Sequence, residues 1–179
     1  MSLKTIERTI IESDYWATQR KKEVRTLTTD LDLRYQKILN VGAGRTNLTD
    51  ELLGQSTGSI TNIDVEDFPN LDRIASALDL PFDDHEFDVT VFLRVLHHIN
   101  DFRTALNEAL RCTKPEGLIL ISEPYDLIVK LTRVTGLDSH PPNIITKKDI
   151  EQFVKENRLT VRQKWQWIFW YYYGYQIQV

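Results

Sequence analysis

Ile38-Leu39-Asn40-Val41-Gly42-Ala43-Gly44-Arg45-Thr46 decides the fold. Lys37 to Val41 is a short apolar run that reads as a buried strand ending at a glycine turn. Thr46 to Leu53 then opens a helix, with Leu48, Leu52 and Leu53 on one face. Glycine lets the backbone turn sharply and lets a ligand approach the main chain, and the start of the helix offers unpaired N–H groups. About twenty residues past Gly44, a second strand (Ser59 to Asp64) ends on a carboxylate, which can accept hydrogen bonds from both ribose hydroxyls of a nucleoside. Together these features point to an adenosine-containing cofactor at the carboxyl edge of a sheet. The third glycine of a nicotinamide-dinucleotide fingerprint is missing, since Asn47 stands there, and no Gly-Lys pair exists for a phosphate-binding P-loop.

Outward from this turn the chain alternates strands with helices. One or two helices are expected between about Leu3 and Leu33. Arg73 to Ser76 reads as a very short third strand, Phe87 to Leu93 as a fourth and Leu118 to Ser122 as a continuous apolar fifth. Phe102, Ala105, Leu106, Ala109 and Leu110 recur at helical spacing, and that helix stops before Lys114-Pro115-Glu116-Gly117. Tyr125 to Thr135 reads as helix and Gly136 to Asn143 as loop. Thr146 and Asp149 form a capping box for a helix from Lys147 to Glu156. Leu159 to Trp167 and Trp170 to Val179 close the chain as an antiparallel pair. This alternation predicts an α/β, doubly wound sheet with helices on both faces. Only about a dozen residues separate Asp64 from Ser76, near the lower limit for a parallel crossover, so the helix there is one turn or absent.

Further motifs follow in order: Ala77-Leu78-Asp79-Leu80-Pro81-Phe82-Asp83-Asp84-His85-Glu86-Phe87-Asp88-Val89, Val95-Leu96-His97-His98-Ile99, Ala109-Leu110-Arg111-Cys112-Thr113-Lys114-Pro115-Glu116-Gly117 and Ile121-Ser122-Glu123-Pro124. In this order and spacing the run from about Lys37 to Pro124 resembles the class I S-adenosylmethionine-dependent methyltransferases of the "type 11" small-molecule branch. The resemblance implies a Rossmann-like seven-stranded sheet of order 3-2-1-4-5-7-6 with strand 7 antiparallel, in a three-layer α-β-α sandwich. It implies S-adenosylmethionine as cofactor, with Gly42, Ala43 and Gly44 lining its methionine and ribose side. By the same resemblance Asp64 would hold the ribose hydroxyls and Val65 would flank the adenine. Ser76 and Ala77 would meet the adenine edge, and Phe92 and Leu93 would offer carbonyls to the methionine ammonium. The family usually has acidic residues where this chain has Asn40 and Ser76. Asn40 can hydrogen-bond but brings no charge to the ammonium, so weaker cofactor binding is expected.

Methyl transfer is an in-line displacement, which needs donor and acceptor held about 3–3.5 Å apart with water kept out. A hydroxyl or amine acceptor also needs a proton acceptor. His97 and His140 are the candidates for touching the acceptor, with His98 and Glu123 behind them. Packing is the alternative role for His97, and orienting the strand end for Glu123. His85 reads as solvated, and Cys112 as core. The four histidines lack metal-ligand spacing, so no metal is expected. The basic run Arg20, Lys21, Lys22 and Arg25 reads as a solvated helix face; if functional, it would bind an acidic substrate such as a phosphate. The aromatic cluster Trp165, Trp167, Phe169, Trp170, Tyr171, Tyr172, Tyr173 and Tyr175 is mostly sheet packing. An outward subset would serve a homodimer edge or stack on an acceptor ring.

The chain has 179 residues, 41% apolar and 27% charged, a globular balance that excludes disordered and fibrous classes. One domain is expected over 1–179, with N-terminal helices in 1–35, a cofactor core in 36–124 and a substrate-side region in 125–179. A net charge of −4 does not suggest a broad nucleic-acid surface. No run is long enough for a membrane helix, a single cysteine excludes a disulfide framework, and the charged start is not a secretory signal, so a cytoplasmic location is expected. The function expected is methylation of a small-molecule, carbohydrate-like acceptor. The alternatives are a catalytically silent subunit of the same fold, or an RNA or protein methyltransferase.

Overall fold

The structure, a computed structural model, describes residues 14–45, 48, 58–125, 134, 145–167 and 172–179. Seven strands form one sheet: β1 (Lys37–Val41), β2 (Ser59–Asp64), β3 (Arg73–Ile74), β4 (Phe87–Leu93), β5 (Thr113–Pro124), β6 (Thr160–Trp167) and β7 (Tyr172–Gln178). Their spatial order is β3-β2-β1-β4-β5-β7-β6. β1 to β5 are parallel, while β7 runs antiparallel to both β5 and β6. The order and the direction of the seventh strand are those that the family resemblance implies.

Side chains along each central strand alternate between two buried faces. Val89, Val91, Leu118 and Leu120 pack with Val24 and Leu27 of α1 (Asp14–Leu27). Phe87, Phe92, Ile119 and Ile121 pack on the other face with α2 (Phe102–Cys112) and α3 (Lys147–Glu156). A sheet covered on both sides accounts for the unbroken apolar run Leu118 to Ile121 of β5, while β4 sets Asp88 and Thr90 between its apolar residues. Asp101 caps α2 by accepting from the Thr104 N–H at 3.1 Å. The capping box on α3 is present as expected: the Thr146 N–H donates to Asp149 at 2.8 Å, and the Thr146 hydroxyl accepts from the Asp149 N–H at 3.4 Å. At the other end of α1, the buried Gln176 amide donates to the carbonyls of Leu27 and Thr29, both at 3.0 Å.

Several boundaries differ from expectation; β5, for one, runs on to Pro124 rather than ending at Ser122. β3 stops at Ile74, because Ser76 pairs instead with Asp79 in a local bridge. β5 begins at Thr113: Lys114 to Gly117 bulge out between the pairs Phe87–Thr113 and Val89–Leu118, with Glu116 at φ 65°. The last two strands are shorter at their outer ends than the apolar runs implied. No helix occupies residues 65–72; Asp72 brackets Asn62 instead, its carboxylate accepting from the Asn62 N–H at 2.7 Å and its own N–H donating to the Asn62 carbonyl at 2.9 Å. Of the one or two helices expected between about Leu3 and Leu33, α1 is described, and residues 1–13 lie outside the described residues, as do almost all of the helices expected over Thr46 to Leu53 and Tyr125 to Thr135.

Arg111 of α2 ties down the segment leading into β4. Its guanidinium donates to the carbonyls of Leu80 and Phe82 at 2.9 and 2.8 Å, to Asp84 at 2.8 Å, and to both oxygens of Glu108. Glu108 in turn accepts the Leu80 N–H at 2.8 Å. Replacing Arg111 with alanine strands these acceptors and should cost about 2–4 kcal/mol in urea unfolding. The hydrogen bond from Arg111 holds the Glu108 carboxyl below its ordinary value of 4.5, against partial burial. Stability from this depression is present above the unfolded value and is lost as pH falls through the folded one. The gap between wild type and Glu108→Gln should therefore be full at neutral pH and close in acid.

Candidate functional site

The carboxyl edge of β1, β2 and β4 carries the glycine turn. Gly42 sits at φ +69°, and a Cβ there would lie 2.1 Å from the Val95 Cγ2, so only glycine fits. Gly44 is also left-handed, at φ +56°, but among the described residues a Cβ there would meet nothing within 4 Å. One glycine is thus required by close packing, while no described atom crowds the other. Asp64 closes the turn: its carboxylate accepts the Gly44 N–H at 2.8 Å and the Glu66 N–H at 3.1 Å. The Ala43 N–H donates to the Ile63 carbonyl at 2.9 Å. Turn and acid therefore form one hydrogen-bonded unit across β1 and β2. A ribose-bearing cofactor fits it, because Gly44, uncrowded by any described atom, lies beside a carboxylate whose remaining lone pairs can accept hydroxyls.

The other expected cofactor residues fall around this unit. Asn40 is buried and donates its side-chain amide to Asn62 at 2.9 Å, so that N–H is engaged within the sheet. Val65 is exposed, at 67%, immediately after Asp64. The Ser76 hydroxyl accepts the Leu78 N–H at 3.1 Å and holds its own turn, with Ala77 half-buried within it. Phe92 is buried in the core, and Leu93 ends β4.

The next turn is organised by Glu123, fully buried near the end of β5. One carboxylate oxygen accepts the N–H groups of Val95 and Leu96 at 2.9 and 2.8 Å. The other accepts the His97 N–H at 3.4 Å and lies 2.5 Å from the His97 Nδ1. His97 is buried, its ring 4.1 Å from that of His98. This arrangement fits holding the turn better than touching an acceptor. His140, the other histidine expected there, lies outside the described residues.

Sequence reasoning missed the cluster beside this turn. Arg94, at φ 57°, directly follows β4. Its Nε donates to Glu23 of α1 at 2.8 Å, and a second guanidinium nitrogen pairs with the same carboxylate. The Ser122 hydroxyl donates to the other oxygen of Glu23. The Arg94 guanidinium lies over the Tyr172 ring, 4.5 Å from its centroid. Burial pushes the Tyr172 phenol up, opposed by Arg94. The signal available was an arginine placed just past a buried strand. Cys112 is buried in the core, where desolvation pushes its thiol up to about 11. Among the described residues no three or more His, Cys, Asp or Glu side chains are grouped to hold a metal ion, and no helix is long and apolar enough to cross a membrane.

Residues 39–121 match the family described as "Methyltransferase domain". A demethylmenaquinone methyltransferase of Paenarthrobacter aurescens is 41% identical over 66 residues, 36% of this chain and 26% of its own length. Across the curated relatives it matches, the chain spans between 22% and 41% of their length. The PH0226 protein of Pyrococcus horikoshii superposes with a TM-score of 0.75 at 16% identity, covering 94% of this chain and 92% of that one. The 1,6-didemethyltoxoflavin-N1-methyltransferase of Burkholderia thailandensis, solved with 1,6-didemethyltoxoflavin and S-adenosylhomocysteine, superposes with a TM-score of 0.69 at 15% identity, covering 97% and 86%. The family resemblance drawn from the motif run thus holds in the matched domain, and the fold is that of these structures.

Gly42→Ala should destabilise the protein by about 1–3 kcal/mol, because a Cβ must displace Val95 and the backbone is left-handed. Urea unfolding measures this. Gly44→Ala strains the backbone but meets no described atom, so its unfolding midpoint should fall less.

Proposed function

We propose that this chain, whose residues 39–121 match a methyltransferase domain and whose fold is that of solved methyltransferases, moves the methyl group of S-adenosylmethionine to a small-molecule acceptor. The observation that carries the proposal is the Asp64 carboxylate, bound at the carboxyl edge to the N–H of Gly44, which no described atom crowds. Gly42, Ala43 and Gly44 would line the methionine and ribose, Asp64 would accept the ribose hydroxyls, and Val65, Ser76 and Ala77 would border the adenine. The carbonyls of Phe92 and Leu93, with Asn40 behind them, would face the ammonium. The cofactor supplies an activated methyl on a sulfonium, which needs no metal. The protein's part is to orient the acceptor in line and exclude water. His97, its Nδ1 on Glu123, would brace the turn beside the acceptor and could take a proton only through its other ring nitrogen; His140 is the second candidate.

The small-molecule class is supported by relatives whose names give demethylmenaquinone and 1,6-didemethyltoxoflavin as acceptors. A carbohydrate-like acceptor is a finer proposal within that class. A homodimer through the C-terminal aromatic edge is a finer proposal about partners. Against bare strand pairing there, Arg162 and Lys164 are exposed on β6, and charge on an edge strand opposes it.

Calorimetric titration with S-adenosylhomocysteine should give one site per chain. Asp64→Asn should weaken it roughly 10–100-fold, the size of one or two hydrogen bonds to a charged group. No detectable binding at millimolar ligand would sink the proposal in favour of a catalytically silent subunit. Release of S-adenosylhomocysteine with a metabolite pool but not with RNA should follow; the reverse result would move the acceptor to RNA.

A further inference from the structure

Arg94 is held by both its main chain and its side chain. It is left-handed, at φ 57°, a conformation that a non-glycine residue keeps only where its surroundings hold it. Its N–H donates to the Ser122 carbonyl of β5 at 2.7 Å. Its guanidinium grips Glu23 through two nitrogens and lies over the Tyr172 ring. The Ser122 hydroxyl donates to the other oxygen of Glu23, so backbone and side chain of Arg94 are tied to the same two residues. Glu23, Arg94 and Tyr172 border a cavity of about 360 Å³ between α1 and the carboxyl edge. The Arg94 N–H and the Leu93 carbonyl belong to one planar trans peptide and point opposite ways. β4 lies between β5 and β1. With that N–H on β5, the Leu93 carbonyl is turned to the β1 side, where the glycine turn begins.

We infer that Glu23 is a positioning residue for the amino-acid end of the cofactor: through Arg94 it holds the peptide that aims the Leu93 carbonyl at the ammonium. The assignment rests on the function proposed above, in which that carbonyl faces the ammonium. Rotation about the N–Cα bond of Arg94 toward negative φ would turn the peptide between residues 93 and 94 and carry the carbonyl off its aim. The carbonyl matters more in this chain than it would beside an acid, because Asn40 brings no charge and its amide already donates to Asn62. A dipole fixed before the ligand arrives needs no ordering on binding. A side chain of α1 thereby acts on the ligand through a residue 71 positions away.

Calorimetry on the full chain with two ligands tests this. S-adenosylhomocysteine carries the ammonium; 5′-methylthioadenosine keeps the adenosine and the sulfur but has no amino acid. Glu23→Gln keeps the shape of the side chain and removes its charge. It should weaken S-adenosylhomocysteine about three- to tenfold and leave methylthioadenosine within about twofold. A role confined to packing would weaken both ligands alike. Amide hydrogen exchange gives a second readout on the ligand-free variant. The Arg94 N–H should exchange faster than in the wild type, while the Gly44 N–H, held by Asp64, should keep its rate. Should Glu23→Gln fail to fold, Arg94→Lys takes its place with the same expectations, since it keeps the charge and loses the two-nitrogen grip. Should methylthioadenosine bind the wild type too weakly to titrate, S-adenosylhomocysteine affinity and the two exchange rates decide. Equal loss for both ligands, no loss for S-adenosylhomocysteine, or unchanged exchange at Arg94 would overturn the assignment. Failure of the wild type to bind S-adenosylhomocysteine would instead overturn the methyltransferase function, and exchange at Arg94 would still judge the grip of Glu23.

Discussion

The carboxylate of Glu123 is the constraint on which the carboxyl edge depends. It is fully buried and accepts three successive backbone N–H groups as well as facing the His97 ring. A buried carboxylate is costly unless its lone pairs are used, and here the peptide groups of residues 95–97 use them. The consequence passes outward through contacts. Val95 is fixed, Gly42 must approach it without a side chain, and the resulting left-handed turn delivers the Gly44 N–H to Asp64. Two carboxylates, one at the end of β5 and one at the end of β2, thus hold opposite ends of one chain of contacts.

A second buried acid joins the helical layer to the same edge. Glu23 links α1 to Arg94 and Ser122, at the ends of β4 and β5. Removing one partner from such a cluster leaves an uncompensated charge, so the register of α1 over the sheet is specified as well as stabilised. Gln176 from β7 fastens the far end of the same helix. With its C-terminal carbonyls and its buried acid both tied to the sheet, α1 is a fixed wall for whatever occupies the neighbouring cavity.

Much of this was legible in the sequence, and the exceptions have a physical pattern. The core of β5 was readable because burial on both faces demands an unbroken apolar run, Leu118 to Ile121, while β1, β2 and β4 were readable from β-branched and aromatic residues between turn signals. Gly42 and Asp64 were readable because turn and acid sit at a spacing set by one crossover. The capping box on α3 was readable because all its partners lie within four residues. What escaped were contacts between distant segments: Glu23 with Arg94, 71 positions apart, and Glu23 with Ser122, 99 apart. No local pattern encodes such pairs. Lys114 to Gly117 were legible only as the stop of α2, because proline and glycine usually punctuate; here they bulge out of a strand that has already begun. The aromatic run proved divided in role: Tyr173 and Tyr175 are buried in the core, while Tyr172 faces the cavity.

That bulge also places residue 179. The Glu116 N–H donates to the Val179 carbonyl, and the Val179 N–H donates to the Gly117 carbonyl, both at 3.0 Å. Val179 is thereby stitched to the beginning of β5, at the rim where the parallel strands start, a sheet's length from Asp64 and Arg94. A fluorophore or tether on the exposed bulge, at Pro115 or Glu116, would project from the side of the sheet opposite those two residues. Protein immobilised there would leave the Asp64 edge facing solution.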